Sequence, residues 1–488
     1  MSKKKFFGTD GVRGTANKGN ITPDIVLKIG QAAGVKFRSG NHQHRVLIGK
    51  DTRLSGYMIE NALTAGLVSM GMDVILAGPV PTPAVAMLTK SMRADLGIMV
   101  SASHNLYQDN GIKLFGPGGF KLSDKIEKEI EELMQKDLSK YLAPSDKIGK
   151  ATRIDDAGGR YIEYIKNTFP KGKTLDGLKI VIDCANGAAY KIGPTVLWEL
   201  GAEVITLGVN PNGFNINDNC GSTHPELLCK EVVKNKADIG IALDGDADRL
   251  IIADNSGTII DGDQLLAIIA EYWKKHKKLK GKGIVTTQMS NLGLEKHLHS
   301  LNLDLKRTPV GDRYVSQYMK EHGFNVGGEQ SGHIILTDYS TTGDGLIAAL
   351  QILAVIIESN NKANKTCRAF NALPQILKNV KISKDFDLDN PELKQAIQHA
   401  EQQLGNNGRI FIRKSGTEPL VRIMVEGNKM SEINKIANQI ANYIGESKTN
   451  TIINKPINII NNAWKSISHS WLGLRRGSGN SRRYQDPK

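Results

Sequence analysis

Residues 244–249 read DGDADR, so Asp244, Asp246 and Asp248 stand at every second position, directly after the apolar run ADIGIAL. Three carboxylates this close repel one another unless a cation sits among them, and all-oxygen ligands favour a hard ion such as Mg²⁺. A Ca²⁺ EF-hand loop would need Gly at its sixth position and Glu at its twelfth. Those positions hold Arg249 and Asn255, so that reading fails. The competing reading is a solvated acidic turn. Three ligands from one loop would leave coordination positions open to a substrate or phosphate oxygen.

A second stretch, RKSGTEPLVR (413–422), gathers Arg413, Lys414, Ser415, Gly416, Thr417 and Arg422. Cations, hydroxyls and a glycine that frees backbone N–H groups suit a fixed phosphate, although a basic surface turn has the same composition. It is not a nucleotide-binding P-loop. The only G-K-T, Gly172-Lys173-Thr174, has Asn167 where the first glycine should stand. GGEQSGH (327–333) offers Glu329 and Ser331 to sugar hydroxyls; His333 reads equally as a satisfied loop histidine. FFGTDGVRG (6–14) supplies Arg13 in a glycine-rich setting, and GKDTRLSG adds Lys50 and Arg53, which read equally as surface charges.

The stretch MVSASHNLYQDNGIK (99–113) sets Ser103 beside His104. A hydrolytic triad collects its members from separate segments, and the G-x-S-x-G elbow is missing. A cation loop and a phosphate loop suit a different nucleophile, a serine that carries phosphate. Phosphorylation adds about −1.5 to −2 charge, which a cation offsets.

These loops need a scaffold, and the chain alternates strand and helix patterns to provide one. RVLIGK, DVILAG and LGIMVSAS read as strands separated by helical spacing; the alternation recurs around LKIVIDCANG and ADIGIALDG, and again from Asp263 to HIILTDY. Such alternation predicts largely parallel sheets covered by helices. The expected architecture is three α/β domains (1–155, 156–256, 257–372) and a smaller α+β domain (373–446). A basic, Asn- and Ser-rich tail (447–488) is expected to be poorly ordered. The 488 residues carry a net charge of +14, and about half of that excess lies in the tail, where eight Lys or Arg face one Asp. The modest remainder suits phosphorylated anions better than nucleic acid. LIAALQILAVII (346–357) is too short for a membrane span and reads as a buried helix. The lysine-rich start lacks an apolar segment, and four cysteines without C-x-x-C spacing read as reduced thiols, so a cytoplasmic protein is expected.

Taken together and in order, FGTDGVRG, SASHN…NGIK, DGDADR, GGEQSGH and RKSGTEPLVR resemble the α-D-phosphohexomutases over about residues 4–445. The GEQSG loop, the FGTDGVRG start, TPVGDRYV (308–315) and TTGDG (341–345) look like its glucosamine branch. The resemblance implies four domains around a cleft, with Ser103 phosphorylated and Mg²⁺ held by Asp244, Asp246, Asp248 and the phosphoserine. It implies that Glu329 and Ser331 orient the sugar and that Arg413, Ser415, Gly416, Thr417 and Arg422 hold the idle phosphate. Arg13 and Arg249 would stabilise transferring charge, and Lys113 and His333 match positions suspected of proton transfer. The implied partners are a hexosamine phosphate and a sugar 1,6-bisphosphate, with a homo-oligomer left open. A mannose- or glucose-specific mutase and a silent sugar-phosphate binder are the rivals. One departure stands out: Leu106 occupies the position where the family usually has proline, and a looser loop is expected there.

Overall fold

The computed structural model describes residues 6–8, 10–383, 386–415, 419–445 and 452–453. These pack as two compact units. One runs up to Val285 and resumes at Gly311–Arg368; the other comprises Thr286–Val310 and the described residues from Ala369 to Ile453.

The first unit opens with a seven-stranded mixed sheet. Leu96–Val100, Arg45–Lys50, Asp73–Pro79 and Ala151–Arg153 run parallel, while Asp109–Phe115 and Gly11–Thr15 join antiparallel on the other side. LGIMV is buried at every position, as a strand covered on both faces must be. Helices Pro23–Phe37 and Ser55–Ser69 pack on the sheet and against each other through Gly30 and Gly66. A Cβ at Gly66 would lie 2.4 Å from the Leu27 carbonyl oxygen, so only glycine permits that approach.

The second sheet has the order Ile259–Ile260, Leu250–Asp254, Ile239–Leu243, Lys179–Asp183, Glu203–Leu207. Ile239–Leu243 pairs parallel with Lys179–Asp183 but antiparallel with Leu250–Asp254, closing with Leu243 opposite Leu250. DGDADR is therefore the whole connection of a hairpin. A third block places the antiparallel pair Val326–Gly328 and Ile334–Leu336 with helices Gly262–Lys275, Asp312–His322 and Gly345–Ser359. The last is the expected buried helix, started by the Asp344 carboxylate accepting from the Ile347 N–H at 2.9 Å. Among the described residues no helix is long and apolar enough to cross a membrane, and the four cysteines are free.

In the second unit, Arg409–Lys414, Leu420–Glu426, Gln375–Lys381 and Ile452–Ile453 form an antiparallel sheet. Its apolar face, including Val421, Ile423 and Val425, buries Ile436 and Ile440 of helix Met430–Gly445 and Leu393 of helix Pro391–Leu404. The fold is the expected one, three α/β blocks followed by a smaller α+β domain. Of the tail, all but Ile452–Ile453 lies outside the described residues.

Candidate active site

Ser103 follows strand Leu96–Val100 and adopts a left-handed backbone, φ 53°. That conformation costs a non-glycine residue roughly 1–2 kcal/mol, so its surroundings must impose it. They do so on both sides of the peptide unit. Its N–H donates to Ser101 Oγ at 2.9 Å, and Ser101 Oγ donates to Asp51 at 2.7 Å. Its carbonyl accepts from Arg53 Nη2 at 2.8 Å and Asn217 Nδ2 at 2.9 Å.

Arg53 is no surface charge. It is 1% exposed, and all five of its side-chain N–H donors are matched. Nε binds Asp51 at 2.7 Å, Nη2 binds the Ser103 and Asn105 carbonyls at 2.8 Å each, and Nη1 binds the carbonyls of Leu106 and, at 3.0 Å, Asp109. Lys50 is also buried, paired with Glu60 at 2.5 Å. Arg53 satisfies carbonyls from residues 103–109, which the local sequence does not reveal, whereas Lys50 pairs with a carboxylate of the following helix.

The pinned serine meets the aspartate hairpin. Ser103 Oγ donates to Asp244 Oδ2 at 2.6 Å, and a Cβ at Gly245 would stand 2.7 Å from the Ser103 carbonyl oxygen. His104 Nδ1 lies 3.3 Å from the same hydroxyl. Arg249, burial and Arg13 push His104 down to about 3, so its imidazole is neutral. Asp244, Asp246 and Asp248 are all buried, each offering an oxygen within 4.8 Å of the others. Burial, together with Asp248 and Asp246, pushes Asp244 up to about 8.

Two oxygens of this cluster, Asp246 Oδ1 and Asp248 Oδ1, are buried without a hydrogen bond among the described residues. Orphaned carboxylate oxygens are costly unless a cation completes them. The three aspartates therefore fit a hard divalent ion.

Around the hairpin runs a closed ring of alternating charge. Lys113 Nζ contacts Asp246 at 2.7 Å, Asp248 at 3.2 Å and Asp10 at 3.5 Å. Asp10 pairs with Lys121, Lys121 with Asp312 at 2.5 Å, Asp312 with His333 Nε2 at 3.4 Å, and His333 Nδ1 with Asp248 at 3.5 Å. Burial alone would lower Lys113, yet Asp10, Asp246 and Asp248 hold its ammonium well above the usual lysine range. His333 is likewise raised, burial being outweighed by Asp248 and Asp312. In the neutral form of His333, Nε2 accepts instead from the Gly343 N–H at 3.2 Å.

Arg13 and Arg249 bring two further cations. Each keeps a buried Nε with no hydrogen bond among the described residues. Glu329 and Ser331 lie together in the turn after Val326–Gly328, Ser331 Oγ donating to Glu329 at 3.3 Å, and Glu329 accepts from the Gly311 N–H at 3.2 Å.

In the second unit, Arg413 and Arg422 are cross-strand partners on one face. Like charges directly opposite are unfavourable, and an anion between them relieves that repulsion. The Ser415 N–H donates to the Leu420 carbonyl at 2.8 Å. Gly416 and Thr417 lie outside the described residues.

The first unit thus brings together Ser103, the three aspartates, Arg13, Lys113, Arg249, Glu329, Ser331 and His333. Sequence reasoning named Arg53 only as a cation that could equally be a surface charge, and it missed Asn217, Lys121, Asp10 and Asp312. Three of these sit in stretches already singled out, Arg53 in GKDTRLSG, Asp10 in FGTDGVRG and Asp312 in TPVGDRYV; Lys121 and Asn217 carried no signal.

Profiles of four domains match the chain in order: phosphoglucomutase/phosphomannomutase alpha/beta/alpha domain I over residues 4–140, domain II over 159–257, domain III over 261–373, and the C-terminal domain over 377–443. The phosphoglucosamine mutase of Parvibaculum lavamentivorans is 61% identical over 441 residues, 90% of this chain and 98% of that one. That of Granulibacter bethesdensis is 60% identical over 447 residues, 92% and 98% of the two chains. Among solved structures, a phosphoglucomutase/phosphomannomutase family protein from Burkholderia thailandensis shares the fold with a TM-score of 0.76 at 23% identity, covering 90% of this chain and 98% of its own. The Aspergillus fumigatus N-acetylphosphoglucosamine mutase, solved with GlcNAc-6P and magnesium, does so with a TM-score of 0.63 at 18% identity, covering 90% and 95%.

Proposed function

The chain belongs to the phosphoglucomutase/phosphomannomutase family, and from that premise we infer that it interconverts glucosamine 6-phosphate and glucosamine 1-phosphate. It is an isomerase that works by phosphoryl transfer, and the identity of about 60% to phosphoglucosamine mutases over nine-tenths of the chain supports the amino sugar over mannose or glucose phosphates.

In this reading Ser103 carries the phosphate. Its phosphoryl group passes from Oγ to O1 of glucosamine 6-phosphate: the Oγ–P bond breaks, the O1–P bond forms, and the O1 proton leaves to a protein base. The resulting 1,6-bisphosphate turns over and returns its 6-phosphate to Ser103, releasing glucosamine 1-phosphate. The cycle consumes no nucleotide, in keeping with the missing P-loop. The observation that carries the assignment is the 2.6 Å contact between Ser103 Oγ and Asp244, beside the buried Asp246 Oδ1 that has no hydrogen bond among the described residues.

Asp244, Asp246 and Asp248 would hold Mg²⁺, which when bound supplies charge neutralisation at the phosphoryl oxygens. Arg13 and Arg249 keep N–H donors for the same oxygens. Lys113 and His333, both touching Asp248, hold the aspartate loop, and we assign them to proton exchange with the sugar hydroxyl, neutral His333 as the base and the Lys113 ammonium as the acid. Glu329 and Ser331 bind the sugar, and Arg413, Ser415, Gly416, Thr417 and Arg422 hold the phosphate that is not reacting.

Intact mass before and after incubation with a hexose 1,6-bisphosphate tests the phosphoserine, with Ser103→Ala as control. The wild type should gain one phosphate and isomerise glucosamine 6-phosphate. The variant should stay folded, gain none and lose turnover. Near-normal isomerisation by Ser103→Ala, or a preference for mannose 1-phosphate in a substrate panel, would overturn the reading.

A further inference from the structure

Outside the site above, one cluster has the ligand chemistry of a second kind of metal centre. His42, His44 and Asp95 offer two imidazole nitrogens and a carboxylate oxygen, all within 4.8 Å of one another. The frame that holds them is rigid. Asp95 immediately precedes strand Leu96–Val100, and its Oδ2 accepts from the Arg45 N–H at 2.8 Å while its own N–H donates to the Arg45 carbonyl at 2.9 Å. His44 is tied in beside it, its carbonyl accepting from the Asp73 N–H at 2.9 Å.

Two independent observations point to a ligand. His44 is only 7% exposed, yet its Nδ1 has no hydrogen bond among the described residues and faces Asp95 Oδ2 at 3.7 Å. A buried ring nitrogen without a partner is costly, whichever tautomer is present. His42 supplies the entry side. Its side chain is 57% exposed, its Nε2 lies 2.7 Å from Asp95 Oδ1, and its ring sits edge-on to that of His44 with centroids 4.2 Å apart. The exposed His42 can turn from its carboxylate hydrogen bond toward an ion without disturbing the buried pair.

We propose that His42, His44 and Asp95 bind a divalent transition-metal ion of the Zn²⁺ class, leaving a further position for water or an exogenous ligand. Imidazole nitrogens select such borderline ions over Mg²⁺ and Ca²⁺, which prefer oxygen alone. Asp95 stands before strand Leu96–Val100 and Ser101 after it, so the two ends of one five-residue strand, roughly 17 Å apart, carry different metal chemistries. The ion would clip the segment before strand Arg45–Lys50 to the neighbouring strand and stabilise the first sheet by linkage. It takes no part in phosphoryl transfer.

The test uses the full chain without a histidine tag, in excess Mg²⁺ so that the aspartate hairpin is satisfied. Zn²⁺ titration should show one more bound equivalent in the wild type than in His42→Ala, and Zn²⁺ should raise the thermal midpoint of the wild type more than that of the variant. Co²⁺ substitution should give a visible d–d spectrum that His42→Ala loses. His42 is exposed, so its variant folds. His44→Gln, with circular dichroism to verify folding, repeats the measurement on the buried ligand. Equal Zn²⁺ stoichiometry in wild type and His42→Ala, or displacement of the extra ion by Mg²⁺, would overturn the proposal.

Discussion

Replacing Arg53 by lysine tests whether the reactive serine is positioned by main-chain clamping. Arginine presents five N–H donors in a planar fork, and here every one has an acceptor: Asp51 and the carbonyls of Ser103, Asn105, Leu106 and Asp109. A lysine ammonium has three donors on a single atom and cannot reach acceptors spread along the fork. At least two of the five hydrogen bonds are lost. At about 1.5–3 kcal/mol for each hydrogen bond to a charged group, the variant loses about 3–6 kcal/mol of stability. The kinetic consequence follows from the left-handed Ser103: without the clamp its backbone relaxes, and a 1 Å misplacement of a reacting group costs about 10²-fold in rate. Arg53 touches no group assigned to substrate binding, so kcat should fall by about two orders of magnitude while KM for glucosamine 6-phosphate stays near the wild-type value. The assay is steady-state turnover at a temperature where circular dichroism shows the variant folded, with phosphate transfer from a 1,6-bisphosphate to Ser103 followed by intact mass. Arg53→Met leaves Asp51 buried without its cation as well as giving up all five hydrogen bonds, so it should be less stable than Arg53→Lys. A folded Arg53→Lys enzyme with unchanged kcat would refute the reasoning, as would a loss confined to KM.

Asp246→Asn should weaken metal binding while leaving the fold intact, since Thr82 and Lys113 still flank the side chain. Activity should then require far more Mg²⁺, and chelation should abolish turnover in the wild type reversibly; activity that survives exhaustive chelation would contradict the assignment of the hairpin. Asp344, next to the metal loop, gives a pH signature of its own. Burial pushes its carboxyl from 3.8 up to about 6. Because the folded value is raised, this group's stability contribution is complete below pH 4 and is lost as pH rises toward 6, by about 3 kcal/mol at 1.36 kcal/mol per unit. Asp344→Asn keeps an acceptor for the Ile347 N–H and cannot ionise. Its thermal midpoint should therefore pass that of the wild type above pH 6, and midpoints that track in parallel from pH 4 to 8 would dismiss the effect.

The aspartate hairpin was legible because its signal is local: alternate carboxylates after an apolar run can be read without knowing what packs against them. The same holds for the strand and helix alternation, since burial on both faces demands continuous apolar strands such as LGIMV. The two readings of Arg53 stayed open because nothing near residue 53 shows that four of its acceptors come from residues 103–109, about fifty positions away. Lys121 and Asn217 escaped for the same reason. Their partners, Asp10 and Asp312 for the lysine, Ser103 and Asn105 for the asparagine, meet only when separate α/β blocks fold together. Asp248 and His333 were both named, but the ring linking them through Asp312, Lys121, Asp10 and Lys113 is a property of the tertiary structure alone.

Leu106 turns on the same distinction between local and distant constraint. Proline would stiffen its own φ and the residue before it, so leucine there suggested a looser loop. The structure restrains this segment by another route. The Leu106 carbonyl accepts from Arg53 and from the Asp109 N–H at 3.2 Å, and the Ser103 and Asn105 carbonyls are each held twice, by Arg53 and Asn217. The leucine side chain is 48% exposed and makes no part of this clamp. Its N–H enters no hydrogen bond among the described residues, so a proline there would give up no donor. Leu106→Pro should therefore act mainly on the unfolded chain, raising stability by about 0.4–1 kcal/mol and leaving kcat within about twofold. Thermal midpoint and steady-state turnover measured on the same preparation decide it. A rise in kcat of about tenfold would mean that the leucine loop is loose after all and that five hydrogen bonds from Arg53 do not fix Ser103.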